Sequence, residues 1–325
     1  MTNHRVALLA FTLALMALVG PLVGGCRAAE TQADAQAPMG ALADAGPKIV
    51  AAAYMGLSAG PMSQATIGDL PEGVVLQSGD LSISREQVDA FIDERAQTPE
   101  DKAALAAESF FVVEQLAIEP LLEREAQAWA RAQEQNPGEA VIDAHLQHVA
   151  EQVTVSDEDV RAFYDENSEM VQGAPYEQVK EQLRAMLLRD SRQEAVTSHI
   201  NGLSERQDVT VDEDFLSEVA PVALDNPVDQ ARHSGKPSFV DFGSEGCGAC
   251  DMMAPIIEEL AEDLANQANV VMVQVREQPY LSARYGIRSI PVQRIYDADG
   301  HEVFAHVGFL SKERILEQLS ALGVE

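Results

Sequence analysis

The sequence predicts a multidomain chain: an all-α helical domain followed by an α/β domain with a mixed central sheet. Three observations carry that reading. The chain has 325 residues, enough for two cores of ordinary size. Apolar residues recur at three- and four-residue spacing through most of 73–219. From residue 227 onward, apolar runs of strand character alternate with helical patterns, and one such strand runs directly into Cys247-Gly248-Ala249-Cys250.

Residues 1–25 read as a targeting segment rather than as fold. Arg5 gives a basic start, and Val6 to Val19 is apolar apart from Thr12. The run ends in Leu22-Val23-Gly24-Gly25-Cys26. Small residues directly before a lone cysteine resemble a bacterial lipobox. The resemblance implies that Cys26 takes a diacylglycerol and holds the chain on the periplasmic side of a bacterial cell-envelope membrane. An ordinary cleaved signal peptide and an uncleaved anchor are the alternatives, and all three export the rest of the chain. Residues 26–72, rich in Ala, Gly, Pro and Gln, read as a flexible tether with one apolar patch from Ile49 to Leu57.

Charge excludes one class of partner. Fifty-three acidic residues against 22 basic ones leave a net charge of −31, most of it between residues 73 and 225. Such a surface repels nucleic acid and anionic lipid, and fits basic or unfolded polypeptide.

Within 73–219, Val74-Val75-Leu76 and Leu81-Ser82-Ile83 predict a short hairpin across Ser78-Gly79-Asp80. Ser84 caps a helix with Val88, Phe91 and Ile92 on one face. A long helix is expected over about Pro99–Glu134, kinked at Pro120, and another over Glu139–Gln152. On that second helix His145 and His148, beside Asp143, read as an exposed polar face. Ser156 followed by Asp157, Glu158 and Asp159 marks a helix start, with acid at the positive end of the dipole. A further helix runs from about Tyr176 to Ser204, and Val209-Thr210-Val211 closes as a strand.

This segment resembles the N-terminal chaperone domain of SurA-like periplasmic foldases. The matching pieces are Gly79-Asp80-Leu81-Ser82-Ile83-Ser84, Val155 to Tyr164, and Pro175-Tyr176-Glu177-Gln178-Val179-Lys180. Only Asp165 to Ala174 lies where such foldases carry a parvulin prolyl-isomerase domain. The resemblance therefore implies binding of partly unfolded polypeptide without isomerase activity. A helical spacer with no ligand is the alternative.

In the domain placed at 220–325, strands are predicted at about Ser238–Phe242, Val270–Val275, Val292–Asp297 and Glu302–Val307. Helices are predicted near Val228–Arg232, Ala249–Asn266, Tyr280–Tyr285 and Lys312–Leu322. Two cysteines separated by two residues at a helix start point to dithiol–disulfide exchange. Backbone N–H groups and the helix dipole favour a thiolate there. With Cys26 acylated, Cys247 and Cys250 are the only thiols left.

The same domain resembles thioredoxin. The matching pieces are Lys236-Pro237, Val240-Asp241-Phe242, Cys247-Gly248-Ala249-Cys250, Met253-Ala254-Pro255, Tyr285 to Pro291, and Val307 to Lys312. The resemblance implies that Cys247 attacks the substrate and Cys250 resolves the mixed disulfide. Asp241 is then the buried acid that exchanges a proton with Cys250. Pro291 is then a cis-proline, which together with Ile290, Gly248, Ala249 and Gly308 borders an extended substrate. No cofactor is implied beyond the redox-active disulfide, and the partners are protein thiols and a redox partner protein. Departures stand out: Gly243 and Gly246 replace aromatics, Ala249 replaces a proline, Met272 replaces a lysine, and Asp251 follows the second cysteine. Fewer cations and one more anion favour the disulfide, hence a more reducing couple.

Two other readings of the cysteines are a purely structural bridge and a zinc site with His301 and His306. Alternation along a strand sends those two histidines to opposite faces, so no metal is expected. The function expected is that of a cell-envelope thiol–disulfide oxidoreductase acting on protein cysteines. The alternative is a non-catalytic holdase or scaffold that uses the fold to bind peptide.

Overall fold

The computed structural model describes residues 48–134, 138–166 and 174–325, which fall into two units, 48–225 and 226–325. The targeting segment, Cys26 and the first part of the tether lie outside the described residues.

The first unit is helix-rich but not all-α. Helix α1 (Val50–Ala53) leads to β1 (Thr66–Gly68), β2 (Val74–Ser78) and β3 (Leu81–Ser84), and β4 is Thr210–Asp212. These strands form one sheet in the order β1-β4-β2-β3, with β1 parallel to β4 and the other pairs antiparallel. The expected hairpin and closing strand are both present. What the all-α expectation missed is β1, which pairs Thr66 with Thr210 across 144 residues of sequence.

That pairing also corrects the tether. From residue 48 the chain is docked. Val50 N–H donates to Ala65 O (3.0 Å), Ile67 N–H donates to Lys48 O (2.8 Å), and Val50, Leu57, Met62 and Ala65 are buried. Small residues give this stretch the composition of a spacer, yet Val50, Leu57 and Met62 anchor it in the core.

Helix α2 (Arg85–Arg95) starts at a full capping box. Gln87 N–H donates to Ser84 Oγ (3.2 Å), and Ser84 N–H donates to Gln87 Oε1 (2.8 Å). The long helix expected at Pro99–Glu134 is two helices, α3 (Pro99–Ala107) and α4 (Ser109–Ala132). The break falls at Glu108, where the backbone leaves helical values, and α4 continues through Pro120. Helix α5 (Val141–Glu151) buries Val141, His145 and Leu146, so the exposed-face reading of His145 is corrected. Helices α6 (Asp157–Glu166) and α7 (Tyr176–Asn201) follow, then the short α8 (Leu203–Arg206).

Helix α9 (Glu213–Ala223) was not foreseen. Asp212 caps it by accepting from Phe215 N–H (2.9 Å), and Phe215, Leu216, Val219, Ala220 and Ala223 are buried. A boundary at residue 219 would cut this helix, and the two units instead meet at 225/226.

The second unit starts at α10 (Pro227–Arg232), capped by the Asn226 side chain. It continues with β5 (Ser238–Gly243), α11 (Gly248–Asp263), β6 (Asn269–Gln274), α12 (Pro279–Arg284), β7 (Val292–Tyr296), β8 (Glu302–Val307) and α13 (Lys312–Ser320). The sheet order is β6-β5-β7-β8, with β5 parallel to β6 and antiparallel to β7. All six residues of β5 are buried. Phe239 packs with Met253, Ile257 and Leu260 of α11 and with Ile315 and Leu319 of α13. Val240 and Phe242 pack with Val228 of α10, Leu281 of α12 and Tyr285. Alternation along one strand thus separates two apolar cores, with a helix pair on each face. Each large side chain so buried contributes about 1.5–3 kcal/mol.

A buried ionic cluster ties α10 to α12. Asp229, with no exposed surface, meets Arg284 Nη2 at 2.5 Å and accepts from Tyr285 OH at 2.5 Å. Removing one member of such a set costs about 3–5 kcal/mol.

Candidate functional site

The strand-to-helix junction at the end of β5 places the two cysteines. Gly246 has φ +77°, which turns the chain from Glu245 into Cys247. Cys247 is the N-cap of α11, and Cys250 lies in its first turn. The two are joined in a disulfide with a Cα–Cα distance of 5.2 Å. Cys247 is half-buried, whereas Cys250 is 2% exposed, so only one sulfur faces solvent. Cys250 N–H donates to Cys247 Sγ at 3.4 Å. On reduction, a thiolate at Cys247 would occupy the positive end of the helix.

Opposite the disulfide, Ile290–Pro291 is a cis peptide bond, and Cys247 Sγ lies 3.9 Å from Ile290 O. Gly308 has φ +103° and donates its N–H to Pro291 O (2.8 Å). Val307 and Phe309, on either side of Gly308, are exposed apolar residues, as is Met252, two residues after Cys250. Gly248 is exposed and Ala249 is half-buried. The structure therefore brings together Cys247, Cys250, Ile290, Pro291, Gly248, Ala249 and Gly308 within one unit, while Cys26 lies outside the described residues.

Asp241 lies behind this rim with no exposed surface. Its Oδ1 accepts from Gln293 Nε2 at 2.8 Å, and its Oδ2 has no hydrogen-bond partner. Burial pushes its pKa from 3.8 up to about 6, against a smaller opposing effect of the Gln293 hydrogen bond. A Cβ placed on Gly243 would sit 3.0 Å from Asp241 Oδ2, 3.6 Å from Cys250 Cβ and 3.7 Å from Cys250 Sγ. Gly243 thus lies between the buried acid and the inner sulfur, and as glycine it puts no side chain between them.

Two residues here escaped sequence reasoning. In sequence Gly243 registers only as a missing aromatic. Gln293 carries no local signal, although it stands opposite Asp241 in the β5–β7 register, two residues after Pro291. The strand pairing that carried the signal is non-local. Met272 flanks Asp241 on the other side, in the β5–β6 register, where the resemblance pointed to a missing lysine.

Residues 218–321 match the family model described as Thioredoxin. Thioredoxin 1 of Synechococcus elongatus is 40% identical over 90 residues, covering 28% of this chain and 83% of that protein. The thioredoxin of Alicyclobacillus acidocaldarius is 38% identical over 91 residues, covering 28% and 86%. The thioredoxin of Rickettsia bellii is 34% identical over 92 residues, covering 28% and 87%. Among solved structures, chloroplastic thioredoxin z is 28% identical and covers 29% of this chain and 84% of that one; its TM-score is 0.27, too low to bear on the fold.

The raised pKa of Asp241 has a stability consequence of fixed sign. The folded chain holds the proton more tightly than the unfolded one. The resulting stability is fully present below pH 3.8 and is lost as pH rises through about 6. Denaturant unfolding of the oxidised chain across pH 4–8 is expected to show a loss of about 3 kcal/mol in the wild type that Asp241→Asn does not share. Parallel pH profiles for the two proteins would contradict the buried-acid assignment.

Proposed function

The chain belongs to the thioredoxin family through its C-terminal unit, and on that footing we propose a cell-envelope thiol–disulfide oxidoreductase acting on protein cysteines. The observation that carries the reading is the pairing of a solvent-facing sulfur at a helix N-terminus with an inner sulfur backed by a buried acid. Thioredoxin relatives imply exchange with protein thiols and disulfides in general; the roles of individual residues and the cellular address are our assignment.

In the reducing direction, the Cys247 thiolate attacks one sulfur of a substrate disulfide. The Cys247–substrate bond forms, the substrate S–S bond breaks, and the departing thiolate takes up a proton. Cys250 then gives its proton to Asp241 and attacks the Cys247 sulfur. The Cys247–Cys250 bond forms, the mixed disulfide breaks, and the second substrate sulfur leaves as a thiolate that takes up a proton, while Asp241 returns its own to solvent. Two electrons pass from the dithiol to the substrate, and the reverse sequence oxidises a substrate dithiol. Ile290, Pro291, Gly248, Ala249 and Gly308 border the polypeptide, and the apolar Phe309 and Val307 widen that border. With exposed Gly246 in place of an aromatic directly before Cys247, the rim admits bulkier protein substrates.

The helix-rich first unit, similar in motif to SurA-like chaperone domains, holds partly unfolded client and raises its effective concentration at Cys247. Lipidation at Cys26 tethers the protein to the membrane from the periplasmic side. Support for that address is confined to the basic, apolar and small-residue pattern of residues 1–26.

The wild-type chain with dithiothreitol is expected to accelerate reduction of insulin disulfides. Cys247→Ser abolishes the effect, and Cys250→Ser accumulates a covalent enzyme–substrate adduct visible by mass spectrometry; an active Cys247→Ser protein would refute the assignment. The double variant Cys247→Ser/Cys250→Ser is expected to suppress aggregation of an unfolded client as the wild type does, and failure of both proteins would remove the client-binding role. Expressed in a bacterial host with radiolabelled palmitate, the chain is expected to carry label and fractionate with membranes. Cys26→Ala should lose both properties, and label retained by that variant would place the anchor elsewhere.

A further inference from the structure

Three helices of the first unit bring Glu125 of α4, His145 of α5 and His199 of α7 to one point. One ligand atom from each lies within 4.8 Å of the others. His145 is 7% exposed, and neither of its ring nitrogens has a hydrogen-bond partner. A neutral imidazole carries one N–H and one lone pair. Leaving such groups buried and unsatisfied carries a desolvation penalty that a bound ligand can relieve. His199 Nε2 stands 3.5 Å from Glu125 Oε2 and pairs with it. Three polar groups thus converge, and no direct bond satisfies either ring nitrogen of the buried His145.

We propose that Glu125, His145 and His199 form a binding site for a divalent transition-metal ion of the zinc type. Two imidazoles and one carboxylate are a donor set that zinc accepts, with a fourth position left for water. The carboxylate is already oriented from behind. Arg206 Nε donates to Glu125 Oε1 (2.9 Å) and Arg206 Nη2 donates to Oε2 (3.2 Å). Ligating carboxylates are themselves commonly hydrogen-bonded in this way, and each oxygen has a second lone pair for a cation. The guanidinium opposes a cation locally, while the net charge of −31 favours one overall. An ion here would cross-link α4, α5 and α7; the apolar contact between α4 and α5 comes from Ala126, Ala130 and Val141 with Trp129 and Ile142 against them.

The site carries its own reporter. Trp129, the chain's single tryptophan, has its ring centroid 5.3 Å from His145 and 5.3 Å from His148. The test uses the full chain with the Cys247–Cys250 disulfide closed, so that neither thiol can ligate. Zinc chloride is titrated by calorimetry, and cobalt chloride by visible absorption and Trp129 fluorescence. The expected result is one ion per chain, cobalt bands of nitrogen–oxygen coordination, a change in Trp129 emission and a higher unfolding temperature with zinc. Affinity falls about tenfold or more in His199→Ala and in the isosteric Glu125→Gln, each checked for native circular dichroism. It is unchanged in His301→Ala, which removes the exposed histidine of the Asp297–Asp299–His301 cluster. Absence of one-to-one binding by the wild type, binding that survives both substitutions, or binding lost in His301→Ala would each overturn the proposal.

Discussion

The chemistry of the second unit depends on keeping one carboxyl group out of water. Strand β5 is buried along its whole length, so its alternation sends Asp241 into the interior on the α11 side. A carboxylate placed there without a full set of donors is held in its protonated form well above the usual range. Gln293 supplies one hydrogen bond to Oδ1, and Oδ2 remains without a partner beside Gly243. The nearest sulfur beyond that glycine belongs to Cys250, which is itself almost wholly buried. Cys247, one helical turn earlier, faces solvent. Burial alone thus gives the two sulfurs different environments, one open to a foreign protein and one backed by an acid.

Much of the second unit is legible in the sequence because its signals are local. Phe239, Val240 and Phe242 give a short strand signal, Cys247 and Cys250 stand at a helix start, and Pro227 follows a capping Asn226; each fixes its own element within a few residues. Ser84 and Ser156 mark helix starts in the first unit for the same reason. What escaped reading is non-local. Thr66–Gly68 is too short to show a period and exists because β4 lies beside it. Gln293 gains its role from register with Asp241 across 52 residues. Helix α9 straddles the expected boundary at 219, and its cap, Asp212, also ends strand β4.

The histidines of the first unit show the same limit. His145 and His148 three apart on a helix look alike in sequence, yet packing buries one and leaves the other partly open. The convergence with Glu125 and His199 joins helices separated by the whole of α6, and no spacing rule announces it. The two units therefore divide their dependence on tertiary structure differently. In one, local motif and chemistry coincide; in the other, the polar cluster exists only after the helices pack.

The most direct test of the central claim is redox titration of the native oxidised chain. It would be equilibrated in dithiothreitol buffers of stepped ratio, with alkylation and mass spectrometry counting the thiols at Cys247 and Cys250. The account predicts a fully reversible two-electron transition in which both residues open and close together while the fold is retained. A Cys247–Cys250 bond that stays closed in the folded protein at the most reducing ratio, or opens only as the chain unfolds, would contradict it.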